Sequence, residues 1–229
     1  MRKFLLVFIV LYLLIISLFF YFFPQWDLKI SSFFWQQGEF IYLETPWVDW
    51  ADGIRKFLNI LIWSIGLLSL LGFGLSFIFK NIKKFRKIFL YLLLCVLIAP
   101  GIMVNLVLKN HWGQPRPVEI QEFSGHLVYQ KDWVMSQQCP TNCAFVCGDC
   151  AGAFVLMAFV PLLTQRRKLM WGAAGIIVLF SGLIGLIRLG QGGHFLSDVL
   201  LAYGIDGLVI WGAYEWLLRK DLKIGFFSQ

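Results

Sequence analysis

Two cations of this chain, Lys109 and Arg116, lie seven residues apart in a segment that Pro115 and Pro117 stiffen. Arginine offers phosphate oxygens a planar fork of N–H donors, and lysine offers a compact point charge. The pair therefore suits an anionic ligand. Both side chains could instead extend to lipid headgroups as anchors. The rigid backbone favours ligand binding for Arg116, because an anchor does not need it.

A second segment, Cys147-Gly148-Asp149, precedes a predicted helix. A glycine at a helix N-terminus lets backbone N–H groups approach an anion, and the helix dipole attracts negative charge. The carboxylate of Asp149 would repel a phosphate unless the bound dianion raises its pKa, so that it carries a proton for a leaving oxygen. Asp149 could instead cap the helix, a position where aspartate is favoured.

A third segment contains Arg188, His194 and Asp198, with three glycines between the arginine and the histidine. On a helix, residues four apart share a face, so the Asp198 carboxylate can reach the imidazole of His194. A carboxylate on one ring nitrogen fixes the tautomer and makes the other nitrogen a better nucleophile or base. The flexible loop lets Arg188 lie alongside the pair.

The composition places these segments in a membrane protein. Of the 229 residues, 59% are hydrophobic and 14% are charged, whereas a soluble domain is about half apolar and about a quarter charged. The hydrophobicity also excludes a disordered chain. The formal net charge is +7, but the basic residues lie in short runs between apolar stretches, which argues against nucleic acid as a partner.

A membrane-spanning helix needs about 20 mostly apolar residues, and six stretches qualify or nearly qualify. They are Phe4–Phe23, Phe57–Phe79, Ile88–Leu108, Ala151–Thr164, Leu169–Ile187 and Val199–Leu218. The fourth is short and is expected to start inside the preceding loop or to tilt little. The first is longer than the apolar core of a cleaved signal peptide, so we expect a retained helix. The prediction is an all-α membrane protein in which residues 1–229 form a single domain.

The distribution of basic residues predicts the orientation, because cytoplasmic loops are enriched in Lys and Arg. With the N-terminus inside, 13 of the 20 basic residues fall on inner segments. These segments are Met1–Lys3, Lys80–Lys87, Gln165–Lys168 and Arg219–Gln229. Both termini are therefore predicted to be cytoplasmic. The loops Pro24–Lys56 and Lys109–Cys150, and with them the three polar segments, face outward.

Taken together, the three segments resemble the signature of the type 2 phosphatidic acid phosphatase (PAP2) family, which reads Lys-x6-Arg-Pro, Pro-Ser-Gly-His and Ser-Arg-x5-His-x3-Asp. The first and third blocks match as Lys109-x6-Arg116-Pro117 and Arg188-x5-His194-x3-Asp198. In the middle block, Cys147 replaces the family's serine and Asp149 replaces its histidine. That departure, with the stretch around His111 and the sequence Gln191–Phe195, looks like the lipid A 4'-phosphatase branch of the family.

The resemblance implies a six-helix bundle and a hydrolase that needs neither metal nor cofactor. It implies that His194 attacks phosphorus to form a phosphohistidine, that Asp198 orients it and that Asp149 is the acid. By the same resemblance, the substrate-binding residues are Lys109, Arg116, Cys147, Gly148 and Arg188. The expected substrate is a phosphorylated lipid in the bilayer, lipid A above all, on the periplasmic side of a bacterial inner membrane. Undecaprenyl diphosphate, phosphatidylglycerophosphate and a catalytically silent lipid-binding protein stay open as alternatives, as does the oligomeric state.

Four of the five cysteines, Cys139, Cys143, Cys147 and Cys150, lie in one outer loop. An oxidising compartment permits disulfides, and four cysteines allow three pairings. A Cys139–Cys143 bridge, or one that reaches Cys147, could hold the loop over the site. A zinc site is the alternative, although the spacings match no common zinc motif. The fifth, Cys95, lies in a span and is expected to act as a small apolar residue.

Overall fold

The computed structural model describes residues 2–42 and 47–220, and most of them are helical. The first half contains α1 (Arg2–Phe22), α2 (Gln25–Ser32), β1 (Trp35–Gln36), β2 (Glu39–Phe40), α3 (Trp47–Leu75) and α4 (Arg86–Val96). The second half contains α5 (Lys109–His111), α6 (Gly148–Phe154), α7 (Arg167–Gly190) and α8 (Leu196–Leu217). Met1 and residues 221–229, most of the predicted cytoplasmic C-terminal segment, lie outside the described residues.

Among the described residues, five helical stretches are long and apolar enough to cross a membrane, and many of their apolar side chains are exposed. They are Phe4–Phe22, Val48–Leu75, Lys80–His111, Arg167–Gly190 and Leu196–Leu217. A shorter apolar helix, Gly148–Leu163, overlaps the predicted fourth span and begins before its predicted start at Ala151. The prediction of an all-α, multi-pass membrane protein is confirmed.

The start of α3 corrects the sequence analysis. Residues 24–56 were expected to form an outer loop, but α3 begins at Trp47, well before the predicted start at Phe57. The charged residues Asp52 and Arg55 interrupt the apolar run in the sequence. In the folded chain they pair with each other on one side of the helix, Arg55 Nη1 lying 2.9 Å from Asp52 Oδ1. The helix therefore continues through them.

Two prolines inside helices change the local helix type, because proline lacks an N–H and its ring clashes with the preceding turn. After α4, the chain continues as a π-helix over Leu97–Leu108, with Pro100 inside it. The Asn105 amide donates a hydrogen bond of 2.6 Å to the Pro100 carbonyl. After α6, the chain tightens into a 3-10 helix over Val155–Leu163, which contains Pro161. The first of these segments carries Lys109 to the site.

A hydrophobic layer, mostly aromatic, covers the end of the bundle where α7 joins α8. Its buried members are Phe40, Ile120, Phe123 and Phe195. Backbone hydrogen bonds attach this layer to the α7–α8 loop: the Tyr42 N–H donates to the Gly190 carbonyl, and the Val118 N–H donates to the Gly192 carbonyl, both at 3.0 Å. The predicted loop segments therefore fold onto the glycine-rich loop and limit its freedom.

Candidate active site

Helix ends and the outer loop converge on a polar cavity of about 250 Å³. Its lining contains four cations, one carboxylate, three amides and a glycine. These residues are Arg55, Asn59, Asn105, Lys109, Arg116, Asn142, Gly148, Asp149 and Arg188. Five of the predicted site residues are among them. A cavity with this surplus of positive charge suits a phosphate dianion.

Asn142 holds the two cations of the first segment. The Lys109 ammonium donates to its Oδ1 at 3.1 Å, and Arg116 Nη2 donates to its backbone carbonyl at 2.8 Å. The Cys139–Cys143 disulfide closes the short loop that contains Asn142, and the Cys143 N–H donates to the Lys109 carbonyl. The Cys139–Cys143 bridge therefore holds the loop with Asn142 against Lys109 and Arg116 at the cavity.

Cys147 occupies the N-cap of α6, and its sulfur is bonded to Cys150. It therefore has no S–H group to offer a phosphate, in contrast to the serine hydroxyl of the family pattern. Its backbone N–H donates to the Asp198 carbonyl at 3.2 Å, which joins the second segment to the third. Gly148 lines the cavity beside Asn105, whose side chain would meet any Cβ at this position.

Asp149 does not cap α6, since Cys147 holds that position. Its Oδ2 accepts a hydrogen bond from Arg55 Nε at 2.9 Å and lies 3.2 Å from Arg188 Nε. Burial by itself would raise the pKa of Asp149, but the charges of Arg188 and Arg55 outweigh burial and lower this pKa below its ordinary value. Without a ligand, Asp149 is therefore an ionised carboxylate and not yet an acid.

The two arginines belong to a closed ring of side chains. Arg188 Nη1 donates to Gln191 Oε1 at 2.6 Å, and Gln191 Nε2 donates to Asp52 Oδ1 at 3.2 Å. Asp52 also accepts from Arg55, which returns to Asp149. This ring ties the start of α3, the start of α6 and the end of α7 together at the cavity.

His194 and Asp198 lie at the end of the α7–α8 loop and the start of α8, and both are fully buried. His194 Nδ1 is 3.5 Å from Asp198 Oδ2, which also accepts the Phe195 N–H at 2.9 Å. Burial, followed by the charges of Lys109, Arg188 and Arg116, lowers the pKa of His194 well below its ordinary value. The imidazole is thus neutral, as a nucleophile must be.

Two further carboxylates, those of Asp27 and Asp132, meet at Ser197 next to Asp198. The Ser197 hydroxyl is 2.6 Å from Asp27 Oδ2 and 3.0 Å from Asp132 Oδ1. One hydroxyl hydrogen cannot serve two ionised carboxylates, so one of them carries a proton. Burial and the charge of Asp132 raise the pKa of Asp27, and burial raises the pKa of Asp132 to about 6.

Sequence reasoning missed Arg55 and the three amide side chains of the cavity. A signal for two of them was present: Arg55 and Asn59 are polar residues four apart at the edge of a long apolar stretch. Such residues share one helix face. Asn142 had no comparable signal, because only the disulfide loop positions it.

The cysteines form two disulfides, Cys139–Cys143 and Cys147–Cys150, while Cys95 is free and buried. A zinc site built from the four thiolates, the alternative in the sequence analysis, is therefore wrong. The expected bridge between Cys139 and Cys143 is present, and Cys147 is bridged to its near neighbour.

Residues 88–221 match the PAP2 superfamily model, which covers more than half of the chain. The chain belongs to the PAP2 superfamily. The matched residues include every site residue predicted from the sequence, whereas Arg55 precedes them. As a PAP2 protein the chain is a phosphatase, so the prediction of a membrane hydrolase is confirmed.

Relatives of this PAP2 chain carry two different names. A lipid A 4'-phosphatase from Francisella tularensis subsp. novicida (strain U112) is 38% identical over 205 residues, which cover 89% of this chain and 91% of that protein. A lipid A 4'-phosphatase from Rhizobium leguminosarum is 38% identical over 121 residues, which cover 52% and 49%. Phosphatidylglycerophosphatase B from Bacillus subtilis (strain 168) is 25% identical over 189 residues, which cover 82% and 83%.

A crystal structure of a transmembrane PAP2-type phosphatidylglycerolphosphate phosphatase from Bacillus subtilis is also similar. It has 21% sequence identity and a TM-score of 0.48, and the match covers 97% of this chain and 98% of that chain.

Proposed function

We propose that this protein removes the 4'-phosphate of lipid A at the periplasmic face of a bacterial inner membrane. The observation that carries the proposal is the convergence of Lys109, Arg116 and Arg188 on one cavity beside the buried His194–Asp198 pair. The similarity to the Francisella lipid A 4'-phosphatase, which extends over nearly the whole chain, supports lipid A as the substrate. In this proposal, residues 1–229 act as a single phosphatase domain.

The phosphoryl group binds in the cavity, where the cations oppose its charge and continue to do so as charge shifts in the transition state. His194 Nε2 attacks phosphorus, so that a P–N bond forms and the bond to the 4'-oxygen breaks. Asp198 steadies the imidazole through Nδ1. Water then attacks the phosphohistidine, the P–N bond breaks, and inorganic phosphate leaves.

The 4'-oxygen needs a proton as it leaves, and Asp149 is positioned at the cavity to supply it. In the absence of a ligand, two arginines keep this carboxylate ionised. A phosphate dianion that takes Arg188 removes a neighbouring positive charge from the carboxylate and adds a negative one. Both changes raise the pKa of Asp149, so that it takes up the proton that it later donates.

Because His194 is fully buried and the cavity lining does not include it, substrate access requires side chains above it to move. Arg188 is the first candidate, since its guanidinium lies against Gly193, next to His194. Binding and exposure of the nucleophile are therefore coupled in this proposal.

The test is lipid A mass spectrometry from Gram-negative cells that express the protein or His194→Ala, with 4'-phosphorylated lipid A at the start. We expect loss of the 4'-phosphate with the parent and none with His194→Ala. His126→Ala is the matched control, because His126 is an exposed loop histidine, and it should act like the parent. Dephosphorylation that persists in His194→Ala would contradict the histidine mechanism.

The substrate and the chemistry can fail separately. If lipid A is unchanged by the parent while purified protein hydrolyses undecaprenyl diphosphate or phosphatidylglycerophosphate, the assignment to lipid A is wrong. Detection of a phosphohistidine at residue 194 on either substrate would still support the mechanism.

A further inference from the structure

The polar start of α3 has no counterpart in the PAP2 signature and lies before the segment that matches the family. Arg55 and Asn59 are four residues apart, and both line the cavity. They also lie within a stretch that is long and apolar enough to span a membrane, Val48–Leu75. Polar side chains are expensive in such a stretch and in general mark a functional path.

Arg55 shares one carboxylate oxygen with an arginine of the signature. Asp149 Oδ2 lies 2.9 Å from Arg55 Nε and 3.2 Å from Arg188 Nε. Two guanidinium groups that both approach this carboxylate oxygen have the right spacing to bind a phosphate oxygen at the same position. Phosphate oxygens are acceptors of the same kind, with more charge and more lone pairs than a carboxylate.

Asp52 keeps Arg55 directed to this point without occupying the cavity. Arg55 Nη1 donates to Asp52 Oδ1 at 2.9 Å, and Asp52 is itself held by Gln191. Asp52 is not among the residues that line the cavity, so a ligand that replaces Asp149 leaves this support in place. The side chain of Arg55 is 30% exposed, which makes it more accessible than Arg188.

We infer that Arg55 is a substrate-binding residue that takes the phosphoryl group together with Arg188, and that the Asp149 carboxylate lies where an oxygen of that group binds. The inference rests on the proposed function, in which the cavity receives a phosphate. It adds a fourth cation to the three that the signature supplies.

The alternative role for Arg55 is only to neutralise Asp149. The two roles are separated by testing the Arg55 variant both in the parent and in the Asp149→Asn protein. The full-length protein in detergent is titrated with inorganic phosphate by calorimetry, which requires no turnover. We expect Arg55→Ala to weaken phosphate binding by about 10–100-fold, in the parent and in Asp149→Asn alike. Asp149→Asn alone should bind phosphate more tightly than the parent, because the competing carboxylate is gone.

Lys56→Ala is the control, since it removes a positive charge one residue away on an exposed side chain, and it should bind as the parent does. Arg55→Gln replaces Arg55→Ala if the latter does not fold, as judged by circular dichroism. The inference is overturned if the Arg55 variant binds phosphate normally, if its defect vanishes in Asp149→Asn, or if the parent binds no phosphate.

These outcomes are separate from those of the proposed function. If the parent binds phosphate through Arg55 but leaves lipid A intact, the lipid A assignment fails and the inference about Arg55 stands. If the parent dephosphorylates lipid A and Arg55→Ala matches it in both phosphate affinity and kcat/KM, the inference about Arg55 fails alone.

Discussion

At the scale of single residues, the site depends on how closely a guanidinium approaches the backbone beside the nucleophile. The Arg188 guanidinium lies against Gly193, and any Cβ at this glycine would collide with it. The glycine leaves the space that lets Arg188 reach Asp149 while His194 stays buried beside it. Gly193 was expected to make the loop flexible. In the structure, its lack of a side chain makes room for the Arg188 guanidinium.

We predict that Gly193→Ala folds but loses activity. The obstructing atoms belong to the end of a flexible side chain, so Arg188 can move aside at little cost to folding. The displaced arginine no longer meets the phosphoryl oxygens, and kcat/KM should fall about 10–100-fold. Purified protein assayed on its lipid substrate gives the measurement. Gly212→Ala is the control, because nothing lies within 4 Å of the added Cβ, and it should change neither folding nor kcat/KM. Equal activity of the two variants would contradict the role of Gly193.

At the scale of elements, three segments that are distant in sequence meet at the start of α8. Asp27 of α2 and Asp132 of the outer loop both contact Ser197, one residue before Asp198. Gln114 also donates to Asp132 at 3.0 Å. These contacts hold the start of α8, and with it the His194–Asp198 pair, against the outer layer.

This junction predicts a pH-dependent stability. The pKa of Asp132, about 6 in the folded chain, is above its ordinary value of 3.8. The stability that its protonated form contributes is complete below pH 4 and is lost as the pH rises through about 6. Asp132→Asn keeps the Oδ1 acceptor and removes the titration. Its unfolding midpoint should exceed that of the parent by about 2–6 °C at pH 7.5 and equal it near pH 4.

Thermal unfolding in detergent measures both values. Glu122→Gln, an exposed carboxylate in the same loop, should follow the parent at each pH. A variant Asp132→Asn that is destabilised equally at both pH values would show that the carboxylate acts only through its shape and hydrogen bonds.

At the scale of the whole molecule, the ends of successive helices gather the proposed site residues at one end of the bundle. The chain enters this end at Lys109 and Arg188 and leaves it at Arg55, Asp149 and Asp198. The basic segments Lys80–Lys87 and Gln165–Lys168 connect the opposite ends of these helices. By the positive-inside rule, we expect the basic end to face the cytoplasm and the cavity to face the opposite side of the membrane.

We predict that a single cysteine at the cavity end is labelled from outside the cell. In spheroplasts, a membrane-impermeant maleimide should label His126→Cys, whereas Lys83→Cys should need lysis first; both positions are exposed. The parent is the control and should stay unlabelled, because four of its cysteines are in disulfides and Cys95 is buried. The reverse pattern would place the cavity in the cytoplasm.

The helical membrane class follows from the amino-acid sequence alone, because apolar runs of spanning length have few other stable forms. The sequence also predicts roles for Lys109, Arg116 and the His194–Asp198 pair, because their spacing along the chain matches the PAP2 signature. The contacts of Asp149 and the position of Arg55 at the cavity emerge only in the folded chain. Those contacts depend on α3 and α7 meeting at α6, and no local pattern in the sequence specifies which helices meet.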